Sequence, residues 1–412
     1  MQFVADFHIH SRYSRATSKE MNVPTLAKWA KLKGIQLLGT GDFTHHLWLQ
    51  ELKQHLQPQG KTGLYLYEGV NFIISGEISS IFSQEGKVYR VHNVFMVPSF
   101  EIAEEINKML ATYGNIASDG RPILGLSCKK LTDEIFKISD EVMLIPSHIW
   151  TPWFSVFGSN SGFDSLEQAY GKYIEKITAL ETGLSSDPAM NWRLSKLDKY
   201  SLVSNSDSHS PSRIGREANV LDCELNYWEI KKVLEEKDKS KFLYTIEFFP
   251  EEGKYHYDGH RNCQIRFSPK ETKEHKGVCP VCGKPLTRGV LYRVEELADR
   301  PEGFIPDNAI DYKSLVPFDE IIAEAKGVGK QSKSVMKDYL DLVSAFGSEF
   351  NIMVNASEEE LFSKMPERIA KGVKNVRDKN LNILPGYDGE YGTIEIFREE
   401  EGKKNNEQMT LF

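Results

Sequence analysis

The segment DFHIHS, Asp6 to Ser11, places two histidines one residue apart near the start of the chain. Alternate side chains of a β-strand point to the same side, so His8 and His10 would project together while Ile9 faces the other way. Imidazole is a ligand that Zn, Mn and Fe prefer in proteins. The pair is therefore a candidate for the start of a metal site.

Further side chains of the metal-binding types follow later apolar segments. They are Asp42 in LLGTGD, Glu77 in FIISGE, His92 in RVHNVF, His148 in LIPSH, and Asp207 and His209 in SNSDSH. A single histidine at a strand end is more often a hydrogen-bonded structural residue, and we interpret His45, His46 and His55 in that way. The recurrence of such residues at separate apolar runs predicts a polynuclear metal site, in which a carboxylate can bridge two ions.

The elements that must position these residues alternate in type up to about residue 220. Short apolar runs such as NFIISGEIS, HNVFMVPS and VMLIPSHI are typical of strands, and helical stretches separate them. This alternation predicts an α/β domain over residues 1–225 with a mainly parallel sheet or barrel. In such folds the functional residues collect at the carboxyl ends of the strands.

The segments DFHIHS, GTGD, SGE, SHI and NSDSHS resemble the motifs of the polymerase-and-histidinol-phosphatase (PHP) superfamily of metal-dependent phosphoesterases. The resemblance implies a distorted (β/α)7 barrel with a site for two or three divalent ions, which could be Zn, Mn, Mg or Fe. It distributes the ligands as follows: His8, His10, Glu77 and Asp207 for one ion, Glu77, His92 and His148 for a second, and Asp42 and His209 for a third ion or for a water network.

The same resemblance gives the catalytic roles to Asp207, Glu77, His209 and Asp42. Many members carry another histidine shortly after the first pair, whereas this chain reads SRYSRA there, which leaves the third ion position open. Clustered divalent ions offset the charge of a phosphodiester and lower the pKa of a bound water, so no Ser or Cys nucleophile is needed.

A second module is expected at residues 245–300, where the chain becomes rich in Cys, His, Gly and Pro. It contains His260-x2-Cys263, then fifteen residues, then Cys279-x2-Cys282. Two such pairs predict one closed, structural zinc site. The sequence leaves the fourth ligand open, because His256 and His275 compete with His260.

A third, mostly helical domain is expected over residues 314–398: residues 314–378 have a helical period, and LPGYDGEYGTIEIF then predicts a turn and a last strand. The stretch FDEIIAEAKGVGKQSKSV resembles a helix-hairpin-helix element, in which Gly327 and Gly329 would expose backbone N–H groups to a DNA phosphate with Lys330 nearby. An ordinary glycine turn between two helices is the alternative interpretation.

The last segment, residues 399–412, is charged and polar and is expected to be a flexible tail. Its end, QMTLF, resembles the pentapeptide that binds the bacterial sliding clamp. The residues concerned are Gln408, Met409, Leu411 and Phe412. Disordered polypeptide without a partner is the alternative.

Composition restricts the class of protein. The formal net charge of −8 argues against a protein that coats nucleic acid without specificity, because such binding depends on Lys and Arg. No apolar run approaches the roughly 20 residues that span a bilayer. Five cysteines without a regular pairing pattern favour metal binding in a reducing compartment. We expect a cytoplasmic protein that acts as a monomer.

The combination of a PHP domain, a zinc module and a helical DNA-contacting segment resembles the endonuclease Q family, in its bacterial type. The resemblance implies a DNA repair endonuclease that nicks double-stranded DNA 5′ to uracil, hypoxanthine, xanthine or an abasic site. In the loop of residues 148–163, aromatic side chains could stack on a base or wedge the duplex, or could instead belong to the core. They are Trp150, Trp153, Phe154 and Phe157.

Two other functions stay open. A PHP-type phosphatase acting on a small phosphate monoester would use the same ligands. A DNA-binding adaptor with a degenerate barrel would use none of them.

Overall fold

The computed structural model describes residues 1–397. The predicted tail and its clamp-binding residues Gln408, Met409, Leu411 and Phe412 lie outside the described residues, as does the last residue of the predicted helical segment. In the described part of the chain, no helix is both long enough and apolar enough to cross a membrane.

The strands are β1 (Gln2–Asp6), β2 (Leu37–Gly39), β3 (Gln57–Pro58), β4 (Tyr65–Tyr67), β5 (Val70–Gln84), β6 (Lys87–Val97), β7 (Ile123–Leu124), β8 (Met143–Pro146), β9 (Ala179–Glu181), β10 (Ser201–Val203), β11 (Ala218–Asp222), β12 (Phe242–Glu247), β13 (Asp258–His260), β14 (Ile265–Phe267), β15 (Asp311–Ser314), β16 (Asn382–Leu384) and β17 (Thr393–Glu395). The α-helices are α1 (Val23–Lys33), α2 (His46–His55), α3 (Phe100–Leu110), α4 (Cys128–Ile138), α5 (Leu166–Tyr170), α6 (Pro188–Asn191), α7 (Tyr227–Glu236), α8 (Pro269–Glu274), α9 (Val290–Leu297), α10 (Phe318–Lys326), α11 (Lys333–Phe346), α12 (Glu358–Lys364) and α13 (Glu367–Arg377).

The fold is a mixed α/β fold built on one central sheet. Its strand order is β15-β12-β11-β1-β2-β5-β4-β3, with β6 and β7 beside β5 and with β8 beside β6. The parallel pair of β9 and β10 lies next to this sheet. Isolated parallel bridges join Leu144 of β8 to Ile177, and Ile9 to Ser208. The segments that follow β1 and β10 are therefore held side by side.

The sheet is mixed, so the prediction of a mainly parallel sheet is wrong. β6 runs antiparallel to both β5 and β8. Glu85 and Gly86 alone connect β5 to β6, and their φ angles are 52° and 79°. Two consecutive residues with positive φ form the type of tight turn that joins antiparallel strands. The sequence EG thus sets a hairpin where a helical crossover was expected.

The sheet also extends beyond the predicted first domain. β12 and β15 lie after residue 225, yet β12 pairs with β11 and β15 pairs with β12. By contrast, α10 to α13 bury their apolar sides in a cluster of their own, which includes Phe318, Ile322, Val343 and Val373. The helical segment consequently has its own core beside the sheet.

A buried ion pair joins this helical core to α1. Lys33 Nζ lies 2.5 Å from Glu349 Oε2, and Tyr339 Oη donates to the same oxygen at 2.6 Å. The backbone N–H of Phe318 donates to the other oxygen, Oε1, at 3.2 Å. The carboxylate is therefore satisfied only when all three donors are in place.

Replacing Lys33 by Met should lower the free energy of unfolding by about 3–5 kcal/mol, because Glu349 would stay buried without its cation. Lys31→Met is the matched control, since Lys31 pairs with Glu68 at an exposed site and should cost less than about 1 kcal/mol. Urea unfolding followed by circular dichroism measures both. Equal losses in the two variants would contradict the structural role of the buried pair.

Candidate metal centre

Two groups of metal-type side chains lie close together, on strands β5 and β6 and on the segments that follow β1, β8 and β10. Within each group the potential ligand atoms are all within 4.8 Å of one another. The groups are His8, His10 and Asp207, and Glu77, His92 and His148. Glu77 also approaches the first group, with its carboxylate oxygens 3.7 Å from His8 Nε2 and 3.5 Å from His10 Nε2. A carboxylate in this position can bridge two ions.

The backbone explains why these residues meet. Ser79 of β5 lies opposite His92 of β6, so Glu77, two residues earlier on β5, projects from the same face as His92. His148 and Asp207 follow β8 and β10 with φ angles of 30° and 45°. Positive φ is uncommon for residues other than glycine and recurs at functional sites.

The centre fits divalent cations because its polar atoms lack other partners. Five buried atoms here have no hydrogen-bond partner among the described residues: His8 Nε2, His10 Nε2, Glu77 Oε1, His92 Nδ1 and Asp207 Oδ1. Burying polar atoms in this way is costly. A divalent ion satisfies imidazole nitrogens and carboxylate oxygens together, which is the chemistry that these atoms share.

A buried carboxylate that the sequence analysis missed orients both groups. Glu181 Oε2 accepts from His8 Nδ1 at 3.0 Å, and Glu181 Oε1 accepts from the backbone N–H of His148 at 3.0 Å. Asn205 Nδ2 also donates to it at 2.9 Å. Such a partner fixes the ring and presents the other nitrogen to a metal. The signal was available, since Glu181 ends the apolar run KITALE as Glu77 ends FIISGE.

The pKa shifts of the buried carboxyl and imidazole groups are those expected of a site for cations. Burial opposes the charge of Glu77, but His92, His8 and Arg121 hold the pKa of this carboxyl well below its ordinary value. Burial lowers the pKa of His92 to about 4, so its ring is neutral near neutral pH. Burial also opposes the charge of His8, but Glu181 and Glu77 raise its pKa well above its ordinary value. Metal binding should therefore release a proton from His8.

Asp42 does not join either group, which corrects its prediction as a metal ligand and catalytic residue. Its Oδ1 accepts from His10 Nδ1 at 2.9 Å. Its Oδ2 accepts from the backbone N–H and the hydroxyl of Ser11, both at 2.6 Å, and from Ser14 Oγ at 2.9 Å. Because four donors already occupy its oxygens, Asp42 positions His10.

His209 also lies outside both groups but borders the first. Its Nδ1 is 2.9 Å from the carbonyl oxygen of Asp207, and its ring centre is 4.5 Å from that of His10. Among the described residues, Asp42 and His209 belong to no group of three close ligand atoms, and the third ion position that the resemblance left open stays a prediction. His209 lies at the edge of the first group.

A cleft of about 410 Å³ opens beside the second group, and Asp207 reaches it. Two of the predicted aromatic residues line it. Trp153 is 41 % exposed, and the ring of Phe154 lies 4.8 Å from that of His92. Both side chains can therefore meet a molecule bound next to the ligands.

The other two aromatic residues belong to the core, so their prediction as DNA-contacting residues is wrong. Trp150 and Phe157 are each 1 % exposed, and their rings pack 4.9 Å apart. Trp150 Nε1 donates to Asn191 Oδ1 at 2.8 Å. Because its N–H group, the one polar group of the indole, is hydrogen-bonded inside the protein, burial of Trp150 is favourable.

The glycine turn of the helical segment is exposed. Gly327 ends α10 with a φ of 64°, and Ser332 caps the start of α11. Lys330 lies in the loop between the helices, where its Nζ pairs with Glu320. Gly329 completes this exposed loop.

The four residues of the cysteine module also converge. Ligand atoms of His260, Cys263, Cys279 and Cys282 lie within 4.8 Å of one another. The two competing histidines point elsewhere: His256 is buried, and the His275 ring stacks on Phe267 at 4.7 Å. Burial opposes the thiolate of Cys279, but the backbone N–H groups of Cys282 and Val281 lower its pKa to about 7. The geometry fits a tetrahedral zinc ion with His260 as the fourth ligand.

Cys279→Ser should release one tightly bound zinc ion and lower stability, because a structural zinc contributes directly to folding, while divalent ions held by the Glu77 and Asp207 groups should stay bound. Metal analysis of the purified protein measures this. The control is Cys223→Ser, a buried cysteine outside the group. Unchanged zinc, or the loss of all metals together, would contradict the assignment.

Comparisons with known proteins identify relatives of this chain. The family of the MJ0043 C-terminal domain matches residues 317–380. The chain is 34 % identical to protein MJ0043 of Methanocaldococcus jannaschii over 272 residues, and this matched region covers 64 % of the chain. The chain spans about a third of the length of that relative, at 33 %.

Two solved structures match over nearly the whole chain. The lesion-specific endonuclease PfuEndoQ from Pyrococcus furiosus has a TM-score of 0.86 and 33 % sequence identity, covering 99 % of this chain and 98 % of that one. Endonuclease Q in complex with a 27-mer duplex substrate, with an abasic lesion at the active site, has a TM-score of 0.83 and 33 % identity, covering 99 % and 100 %. The chain therefore belongs to the endonuclease Q family of enzymes.

Proposed function

We propose that this protein is a metal-dependent DNA repair endonuclease. It hydrolyses the phosphodiester 5′ to a deaminated base, namely uracil, hypoxanthine or xanthine, or 5′ to an abasic site. The observation that carries the proposal is the pair of ligand groups sharing Glu77 beside an open cleft. The related endonuclease Q that holds a duplex with an abasic lesion at its active site supports the substrate class.

The residues divide the work as follows. His8, His10 and Asp207 would hold one divalent ion, His92 and His148 a second, and Glu77 would bridge the two. Ions bound there supply an activated water and offset the charge of the phosphate. Glu181 and Asp42 hold the rings of His8 and His10 in register, so that the ligand atoms need not reorganise during the reaction.

Base selection follows from extrusion of the nucleotide. Deamination replaces an exocyclic amino group by a carbonyl, so a pocket offering a matching donor and acceptor can distinguish these bases from cytosine and adenine. Trp153 and Phe154 stand at the cleft, where a base can stack on an aromatic ring. The exposed loop with Gly327, Gly329 and Lys330 contacts the DNA backbone outside the cleft.

The cofactors and partners complete the proposal. His260, Cys263, Cys279 and Cys282 would hold one structural zinc, and the groups around Glu77 would hold two divalent ions, with room for a third left open. The protein acts as a monomer and reaches a bacterial sliding clamp through its last five residues.

The main rival is a phosphatase for a small phosphate monoester. An exposed Trp153 beside the ligands favours a substrate with a base over a small monoester. Incubating the metal-loaded protein with p-nitrophenyl phosphate and with duplexes containing one uracil, one hypoxanthine or no lesion separates the two activities. Cleavage of the monoester alone would refute the nuclease, and binding without cleavage would indicate an adaptor.

Asp207→Ala should abolish strand cleavage while the affinity for lesion-containing DNA changes little, because Asp207 would hold an ion whereas affinity comes mainly from phosphate and base contacts. A gel assay measures cleavage, and fluorescence anisotropy measures binding. Asp307→Ala, at an exposed position, is the control. A rate for Asp207→Ala within about tenfold of wild type would refute the assignment.

Deleting residues 408–412 should leave cleavage of a short oligonucleotide unchanged and remove binding to a bacterial sliding clamp. Burying apolar side chains such as Leu411 and Phe412 in a cleft of the clamp contributes roughly 1.5–3 kcal/mol for each large residue. Surface plasmon resonance against the immobilised clamp measures the loss. Equal binding by the truncated and full-length chains would show that this segment is not the contact.

A further inference from the structure

Two arginines at the cleft, Arg15 and Arg121, belong to none of the predicted ligand sets. Both line the cleft together with Asp207 and the second ligand group. Arg121 Nη1 donates to Glu77 Oε2 at 3.0 Å, and its side chain is 26 % exposed. A cation thus stands between the buried bridging carboxylate and the open cleft.

We propose that Arg121 and Arg15 form a phosphate-binding site, in which Arg121 contacts a non-bridging oxygen of the scissile phosphate and Arg15 contacts the neighbouring backbone phosphate. The proposal rests on the proposed function and adds a catalytic residue that carries no metal. On this proposal, the two guanidinium groups supply part of the positive charge that offsets the phosphate.

One buried carboxylate holds both arginines in place. Asp119 Oδ1 accepts from the backbone N–H of Arg121 at 3.1 Å, and Asp119 Oδ2 lies 3.2 Å from Arg15 Nε. Asp119 is 6 % exposed, so its position is fixed by the surrounding loop. The Arg15 side chain is 75 % exposed beyond this contact. Asp119 thus holds the Arg15 guanidinium directly and the Arg121 backbone, while Glu77 holds the Arg121 guanidinium, and both arginines line the cleft.

The chemistry of the guanidinium group suits this role. It carries five N–H donors in a planar fork. Within the described residues, the Arg121 guanidinium makes one protein hydrogen bond, to Glu77. Its remaining donors can bind phosphate oxygens in the two-pronged geometry that arginine favours. Beside the two ligand groups, the cleft is thus lined by two guanidinium groups, those of Arg15 and Arg121.

The test uses Arg121→Ala and Arg121→Lys in the full chain, assayed on a duplex with one abasic site and on bis(p-nitrophenyl) phosphate, a diester without a base. Arg121→Ala should slow cleavage of both by about 100-fold, as the loss of one preoriented donor does. The metal content should stay at the wild-type value, and added guanidinium ion should restore part of the rate. Arg121→Lys should give an intermediate rate, because it keeps the charge without the fork.

Arg12→Ala is the matched control. Arg12 lies on the same segment as Arg15 but pairs with Glu51, away from the cleft lining. Its rate should stay within about threefold of wild type, below the effect expected for a preoriented donor. Arg15→Ala should raise KM for the duplex by a larger factor than KM for the small diester, because the diester has no neighbouring backbone phosphate.

Two results would overturn the proposal. If Arg121→Ala loses metal in proportion to activity and guanidinium ion restores nothing, Arg121 only positions Glu77. If Arg121→Ala and Arg121→Lys both cleave the diester at the wild-type rate, Arg121 does not contact the reacting phosphate. A wild-type protein that cleaves the diester but not the lesion duplex would refute the lesion specificity alone, since the Arg121 comparison on the diester would still stand.

Discussion

The centre of this protein depends on one buried anion. Glu77 lies in the middle of β5, and its carboxylate is within 3.7 Å of ring or guanidinium nitrogens of His8, His92, His148 and Arg121. An ionised carboxylate at such a depth is tolerated only when cations or metal ions surround it. Each of these partners comes from a different strand or loop. The strands must therefore pair correctly before the charge of Glu77 is balanced, so the fold and the site depend on each other.

A second set of carboxylates acts through those partners. Glu181 holds His8, Asp42 holds His10, and Asp119 holds the loop that carries Arg121. Glu181 and Asp42 each accept from a ring Nδ1 and so leave the Nε2 of the same ring for the centre, whereas Asp119 accepts from the backbone N–H of Arg121. Outer partners of this kind fix the orientation of metal ligands and tune their affinity. The arrangement explains why so many acidic side chains are buried on this side of the sheet.

The sequence predicted which metal-type side chains come together better than it predicted the architecture around them. Residue type and position in apolar runs picked out His8, Glu77 and His148, whose side chains the fold brings together although Glu77 lies in the middle of β5 and the two histidines follow strands. The direction of β6 could not be found from alternation alone, since it depends on the φ angles of a two-residue turn. Asp42 resembled a ligand for a related reason: a carboxylate at a strand end looks the same in sequence whether it binds an ion or a histidine ring. The structure was needed to identify His260, among the nearby histidines, as the fourth residue of the cysteine group.

The charge distribution links the proposed chemistry to substrate choice. A chain with a formal net charge of −8 gains little from general attraction to DNA, which depends on releasing counterions with many cations. Two cations, Arg15 and Arg121, line the cleft, and the ligand groups would add the charge of divalent ions. On the proposed function, the phosphate beside an extruded nucleotide would enter the cleft and meet that charge. Damaged or mispaired positions extrude at the lowest cost. On the proposed function, selectivity therefore begins with the deformability of the DNA, before any base is contacted.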